Sequence, residues 1–515
     1  MDTKALRQKI LDLAIRGKLV PQDPNDEPAK VLLERIREQK QQMFKEGKLK
    51  KKDIKNDTII FKGEDNLHYE KFQDGTVKCI EDEIPFEVPE GWAWCKLNDI
   101  YNFIDYRGAT PTKITNGIPL VTAKNVKSGY IDYTIDDYIS EEEFKERQQR
   151  GISKKGDILF TTEAPLGNAA LADMEKFSAG QRLITFQQYG SKNELINYVM
   201  LMFILSDFFQ QQLYVNKTGS TVAGIKAAIL KTLWIPVPPY NEQLRISNTL
   251  KSAINLIDSI SKNKEILSTS ISNTKSKILD LAIRGKIVPQ DPNDEPASVL
   301  LERIRAEKEE LIKQGKIKRD KKESVIFKGD DNSYYGIHLP DSWNWASLRE
   351  IALSISDGSH NPPPNNGSGI PLLSAANIND NSILMNEISR WITNEEWKIE
   401  NQRTNIEVGD VLLTIVGSIG RSAVVQNNNH FALQRSVAVI KPCLINPLYL
   451  MHIVQSPQIQ KWLTDNSKGT AQKGIYLNAL SLMIIPIPPL AEQARIVEHI
   501  HIAYKHLDLI SNALL

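Results

Sequence analysis

The stretch ILDLAIRGKLVPQDPNDEPAKVLLERIR at Ile10–Arg37 returns as ILDLAIRGKIVPQDPNDEPASVLLERIR at Ile278–Arg305, altered only at Leu19 (Ile287) and Lys30 (Ser298). Chance does not produce such a match, so the chain is one unit written twice. Weaker matches extend outward in the same order. IIFKG ending at Gly63 faces VIFKG ending at Gly329, and P-x-x-W-x-W at Pro89, Trp92 and Trp94 faces Pro340, Trp343 and Trp345. GIPLVTAKNV from Gly117 faces GIPLLSAANI from Gly369, Gly156-Asp157 faces Gly409-Asp410, and Gln181-Arg182 faces Gln434-Arg435. IPVPPYNEQLRI from Ile235 faces IPIPPLAEQARI from Ile485. After that last match the second copy runs to Leu515, whose counterpart is Glu265, while Met1 corresponds to Thr269. The C-terminal and N-terminal segments together rebuild the piece that runs unbroken from Glu242 to Arg305. The repeat is circularly closed, which predicts a pseudo-two-fold object built from two equal halves.

A chain of 515 residues has room for two or three domains, and 41% apolar with 25% charged residues is the balance of an ordinary globular protein. No N-terminal apolar h-region and no apolar run of about 18 residues is present, so a cytoplasmic protein with no membrane association is expected. Cys79, Cys95 and Cys443 are too few for a disulfide framework or a four-ligand zinc site and read as structural thiols. A net charge of +1 gives no global signature of nucleic-acid binding, so any phosphate-binding surface must be local. The basic runs Lys45–Lys55 and Lys313–Lys322 read as solvated faces.

From Ile246 the apolar residues fall on two heptad tracks, Leu250, Ile257, Ile271 and Ile278, and Ile246, Ala253, Ile260, Leu267 and Leu281. That is a coiled-coil seam, interrupted at Lys264 and Thr274 and stopped at Gly285. A helix of about 40 residues would be roughly 60 Å long. The seam continues on Ile496, Ile500, Ala503, Leu507, Ile510 and Leu514, and on Leu6, Ile10 and Leu13. An antiparallel helical spacer follows, with the central helix packed against a two-piece partner. Between the helices, runs such as GDILFTTEAPLGNAAL and GDVLLTIVGSIGRSAVV read as strands with glycine turns, and INYVMLMFILSDFFQQQL reads as helix. The expected fold class is α+β, with two similar mixed α/β domains separated by the antiparallel coiled-coil spacer. The expected blocks are an N-terminal helical region at 1–80, a first domain at 81–239, a central helical spacer at 240–330, a second domain at 331–489 and a C-terminal spacer helix at 490–515.

Resident chemistry finds no motif. An amino-methyltransferase needs an Asn/Asp-Pro-Pro-aromatic loop, whereas Asn361-Pro362-Pro363 continues with Pro364 and Pro238-Pro239-Tyr240 follows Val237. The P-x-P-P segments read instead as rigid lead-ins to helices. Gly17-Lys18, Gly47-Lys48, Gly285-Lys286 and Gly315-Lys316 are followed by Leu or Ile, not the Ser or Thr of a P-loop, and read as helix C-caps. Asp157 and Glu163 could be imagined as Mg²⁺ ligands of a nuclease, but Ile415–Gly417 offers no acid in the second copy. The histidines show no metal-binding spacing, and the four repeated tryptophans read as core or hinge.

With the closed repeat, the P-x-x-W-x-W segment, the Gly-Asp turn, the Gln-Arg pair and the IPxPPxxEQxRI segment in view, the chain resembles the specificity subunit of a type I restriction-modification enzyme over its whole length. The resemblance implies two target recognition domains, each reading one half of a bipartite asymmetric sequence in double-stranded DNA, with the helices fixing the gap and docking methyltransferase subunits. It implies no catalytic residue, metal or cofactor on this chain. Its partners would be two methyltransferase (M) subunits, which use S-adenosylmethionine to methylate adenine N6, and two restriction (R) subunits, which use ATP and Mg²⁺. A specificity subunit of a related bipartite-site type II system, a self-sufficient methyltransferase or nuclease, and a protein-binding scaffold are the alternatives.

Base edges and phosphates are met by polar side chains on loops between strands. The expected DNA contacts in the first domain are Arg107, Thr110, Lys113, Lys124, Thr162, Arg182, Lys217, Ser220 and Lys226. In the second they are Ser359, His360, Asn361, Asn377, Ser418, Arg421, Arg435, Lys468, Thr470, Gln472 and Lys473. Arg182 and Arg435 have a second reading, as members of a structural Gln-Arg pair supporting the sheet.

Overall fold

A computed structural model describes residues 2–54, 57–106, 110–190, 194–219, 223–319, 333–469 and 473–514. The chain divides into two units, Met1–Asn263 and Lys264–Leu515. The dividing point falls within a single 44-residue helix, Tyr240–Ile283, about 66 Å long.

In the first unit the N-terminal helix (Thr3–Ile15) starts on an Asp2 cap and ends at Gly17, which adopts φ +64°. The expectation of a C-cap at this Gly-Lys step holds, and the glycine has a second reason. A Cβ there would lie 2.3 Å from the Pro89 Cγ and 3.2 Å from the Trp92 ring. The helix runs antiparallel to the first part of the long helix: Arg7 pairs with Asp258, and Gln22 ties the Gly17 carbonyl (2.6 Å) to Glu242 (3.1 Å). Trp92 Nε1 donates to the same Glu242 at 2.9 Å.

The second unit repeats this joint. Lys275 pairs with Asp508 of the C-terminal helix (Leu490–Leu514) at 2.5 Å, and Gln290 ties the Gly285 carbonyl to Glu492. Trp343 Nε1 donates to Glu492 at 3.0 Å. Arg245–Asp26 and Arg495–Asp294 form a further matched pair.

Each half contains a four-stranded antiparallel sheet. In the first its order is Tyr101–Asp105, Leu183–Gln188, Ile158–Thr162, Leu166–Leu171. In the second it is Ala352–Asp357, Val437–Pro442, Val411–Thr414, Ser422–Val424. A smaller mixed sheet lies beside each, with Ser178–Ala179 parallel to Ile118–Val121 and Ala432–Leu433 parallel to Ile370–Leu373. The two repeated proline and tryptophan motifs are partners: Trp234–Val237 pairs with Ala93–Lys96, and Ile484–Ile487 with Asn344–Ser347. All four repeated tryptophans are buried, as core residues should be. Pro239 then sits directly before the long helix and accepts from Gln243 N.

Four expectations are corrected. The N-terminal block is not helical throughout, because Ile59–Lys62, His68–Lys71 and Val77–Cys79 form a three-stranded antiparallel sheet. The buried face of the N-terminal helix is Leu11, Ala14 and Ile15, with Leu6, Ile10 and Leu13 only half-buried. The cause is that this helix also packs on the helices Asn197–Ile204 and Asp207–Val215, where Gln8 reaches the Leu205 carbonyl. Leu267 and Ile510, assigned to the seam, are exposed. Cys79 is a surface thiol, while Cys95 and Cys443 are buried.

Candidate nucleic-acid interface

The strand order places the expected contacts at one end of each sheet. In the first half, Tyr101–Asp105 and Ile158–Thr162 finish at this end, and Leu166–Leu171 and Leu183–Gln188 begin there. The segments before and after these termini carry Thr110, Lys113, Thr162 and Arg182. The loop that holds Lys217 and Lys226 is stitched to the same place, since Glu163 bridges Gly224 and Ile225 N donates to the Thr162 carbonyl at 3.0 Å. In the second half Val416 bridges Gly474, Gly417 N donates to the Lys473 carbonyl at 3.1 Å, and Arg435 N donates to the Ser359 carbonyl at 2.9 Å. Residues far apart in sequence thus share one rim in each half.

On the first rim the cations are largely engaged. Arg182, at φ +66°, places its Nε 3.1 Å from Glu163 Oε1, and Lys113 pairs with Asp137 at 2.6 Å. Thr110 accepts from Gln181 Nε2, which makes Gln181 a rim residue that the sequence reading took only as a motif member. Lys217 lies over the Tyr214 ring at 5.3 Å, and Lys124 and Lys226 are exposed.

On the second rim Asn361, Ser418, Arg421, Arg435, Lys468 and Lys473 are exposed. Val416 stands where Glu163 stands, but Ser436 takes the place of Arg182, since Ile415 N donates to the Ser436 carbonyl at 2.9 Å as Thr162 N donates to the Arg182 carbonyl at 2.9 Å. Among the described residues no carboxylate pairs with Arg435. His360 Nε2 lies 2.9 Å from Asp357 Oδ2, and Arg403 grips the same aspartate. Arg403 and Glu400 were not expected; they reach the rim from the helix Asn394–Thr404, which lies outside the strand-turn pattern that guided the search. Arg107, Ser220, Thr470 and Gln472 lie outside the described residues.

Three expected contacts are corrected by burial. Thr162 is buried with its Oγ1 on the Arg182 carbonyl at 3.2 Å. Asn377 is buried and closes its own turn, accepting from Ser374 N at 3.0 Å and donating to the Glu387 carbonyl at 2.9 Å. Ser359 is buried with its Oγ on Glu400 at 3.1 Å. These side chains satisfy local polar groups and present nothing to a ligand.

A shared metal between Asp157 and Glu163 is excluded by the strand between them, because five residues at about 3.3 Å each separate the two carboxylates. Glu163 is committed to Arg182, and Asp157 accepts from Lys154 N (2.7 Å) and Gln187 Nε2 (2.8 Å). Burial raises the Asp157 carboxyl to about 6. Among the described residues no group of His, Cys, Asp and Glu could hold a metal ion. No described helix is long and apolar enough to cross a membrane.

Comparison with known proteins identifies the family. The profile of the type I restriction modification DNA specificity domain matches twice, at residues 89–268 and 340–514. The EcoEI type I restriction enzyme specificity subunit of Escherichia coli is 28% identical over 99% of this chain and 90% of its own length. The EcoAI specificity subunit of Escherichia coli is 30% identical over 73% of this chain and 67% of its own. A chain from a structure concerned with complex assembly and conformational transition of the type I R-M system shares the fold at a TM-score of 0.54. It is 18% identical, with 84% of this chain and 94% of that one covered. The chain therefore belongs to the specificity subunits of type I restriction-modification systems, non-catalytic members of those complexes that carry two target recognition domains.

Proposed function

We propose that each recognition domain reads one half of a bipartite, asymmetric DNA site through its rim, and that the helices act as a ruler fixing the gap and docking the methyltransferase subunits. The observation that carries this reading is that two matched sheets present unlike side chains at the same place: Glu163 against Val416, and Asn168 against Arg421. A common frame with individual rims is what two readers of different sequences require. For the ruler, the support is the matched antiparallel joint in each unit, Arg7–Asp258 and Lys275–Asp508. In this reading a coiled-coil spacer joins the domains and the doubled unit closes on itself with pseudo-two-fold symmetry. The complex would contain two M and two R subunits; S-adenosylmethionine, ATP and Mg²⁺ would be bound by those partners.

Exchanging residues 81–239 for the corresponding domain of another family member tests the reading. Sequencing of methylated adenines should show one half of the site replaced, with the other half retained. Replacement of both halves would defeat it.

A further inference from the structure

One cluster on the second rim joins two residues that have counterparts in the first half to one that has none. Asp357 ends its strand and is buried. Arg403 holds it twice, with Nε donating to the Asp357 carbonyl at 2.8 Å and Nη2 donating to Oδ1. The other carboxylate oxygen faces His360 Nε2 at 2.9 Å, on a side chain that is 53% exposed. In the first half Asp105 occupies the Asp357 position, pairing with Ile184 as Asp357 pairs with Ala438. Arg150 stands in sequence as far ahead of the strand at Ile158 as Arg403 stands ahead of the strand at Val411. The position of His360 is taken by Gly108. The aspartate and the arginine recur in the sequence of both halves, and the histidine is individual to the second domain.

The geometry fixes what this histidine can offer. An ionised carboxylate only accepts, so the ring nitrogen facing Asp357 Oδ2 must carry a hydrogen. Arg403 Nη2 lies 3.3 Å from the same nitrogen but is itself a donor; its hydrogen bond goes to the carboxylate. With Nε2–H held on Asp357, the neutral ring keeps a lone pair on Nδ1. In the major groove the complement of an acceptor is an exocyclic amine, the N6 of adenine or the N4 of cytosine.

We propose that His360 is a specificity-determining residue of the second domain, accepting through Nδ1 from the exocyclic amine of an adenine or cytosine, with Asp357 as the positioning residue that sets its tautomer. This rests on the second domain reading DNA.

The test uses the full complex with its modification subunits and sequences methylated adenines. His360→Ala leaves the Asp357–Arg403 clamp intact. One base pair of the second domain's half-site should become degenerate, with methylation of sites altered there rising about tenfold and the other half unchanged. Asp357→Asn keeps an oxygen for Arg403 but turns a donor toward His360 Nε2, which moves the ring hydrogen to Nδ1. Preference at the same base pair should then shift toward guanine or thymine, whose O6, N7 or O4 accept. A bipartite wild-type site that His360→Ala leaves unaltered overturns the proposal while the reading stands. Asp357→Asn that relaxes a different base pair, or none, overturns the tautomer role. A wild-type site that is not bipartite, or His360→Ala altering both halves, overturns the reading itself.

Discussion

Asp157 and Asp410 hold the same place in the two halves, each just ahead of the sheet's third strand, and each is buried. Their partners differ. Asp157 accepts from the neutral Gln187, whereas Asp410 lies 2.8 Å from Lys441 Nζ, the residue at the Gln187 position. Burial raises both carboxyls, and in the second half Lys441 opposes the rise. The carboxylate belongs to the frame because it caps the turn, accepting from Lys154 N in one half and Glu407 N in the other. What balances its charge was free to diverge.

The largest effect is expected where the halves do not differ. Gly17 and Gly285 both adopt φ +64°, and a Cβ would lie 2.3 Å from Pro89 Cγ in one half and 2.5 Å from Pro340 Cγ in the other. Gly17→Ala and Gly285→Ala should each cost about 2–4 kcal/mol, combining left-handed strain with overpacking. Urea unfolding gives the size, and amide hydrogen exchange locates the loss in the altered half. A cost under about 0.5 kcal/mol in either half would show that the two joints are not equivalent.

The aspartates should then respond with the same sign and unequal size. An acid whose folded value is raised binds more protons in the folded state, so its contribution is full below its unfolded value and is lost as pH rises through the folded value. For Asp157 that window runs from 3.8 to about 6. Asp157→Asn, whose oxygen can still accept from Lys154 N and Gln187, should therefore stabilise above pH 6 by about 1–3 kcal/mol. Its advantage should fade as pH drops toward 4. Asp410→Asn relieves the same burial but also strips Lys441 of one of its two carboxylates, so its gain at neutral pH should be smaller than that of Asp157→Asn. Unfolding measured at pH 4.5 and 7.5 checks both; equal gains at pH 7.5 would erase the contrast.

The legible and illegible parts of this protein divide along sequence distance. The helix stop at Gly17 and the hairpin from Ile158 to Leu171 were readable because turn and cap residues act on their neighbours. The pairing of Ile235 with Cys95 was not, since nothing in either proline or tryptophan motif says that the other is its partner. At the rim, residue type gave the polarity but not the direction: Thr162, Ser359 and Asn377 turn inward to satisfy backbone or side-chain groups. Arg403 was missed because it comes from a helix and meets Asp357 only through the fold.

The smallest effect concerns the arginines of the repeated Gln-Arg step. Arg182 is 55% exposed and paired with Glu163, itself 43% exposed, so the pair contributes under about 1 kcal/mol to stability. In the proposed reading its weight lies in binding, because the Glu163 charge would repel phosphate and occupies the guanidinium. Glu163→Val makes the first rim like the second and should tighten DNA binding by the complex about two- to tenfold at low salt, with a steeper salt dependence and an unchanged unfolding midpoint. Val416→Glu should weaken binding by adding a negative charge to the second rim, where Ser436 rather than Arg435 takes the place of Arg182. Filter binding across a salt series separates these outcomes. If Glu163→Val leaves affinity and salt slope unchanged, Arg182 is the structural member of its Gln-Arg pair and not a DNA contact.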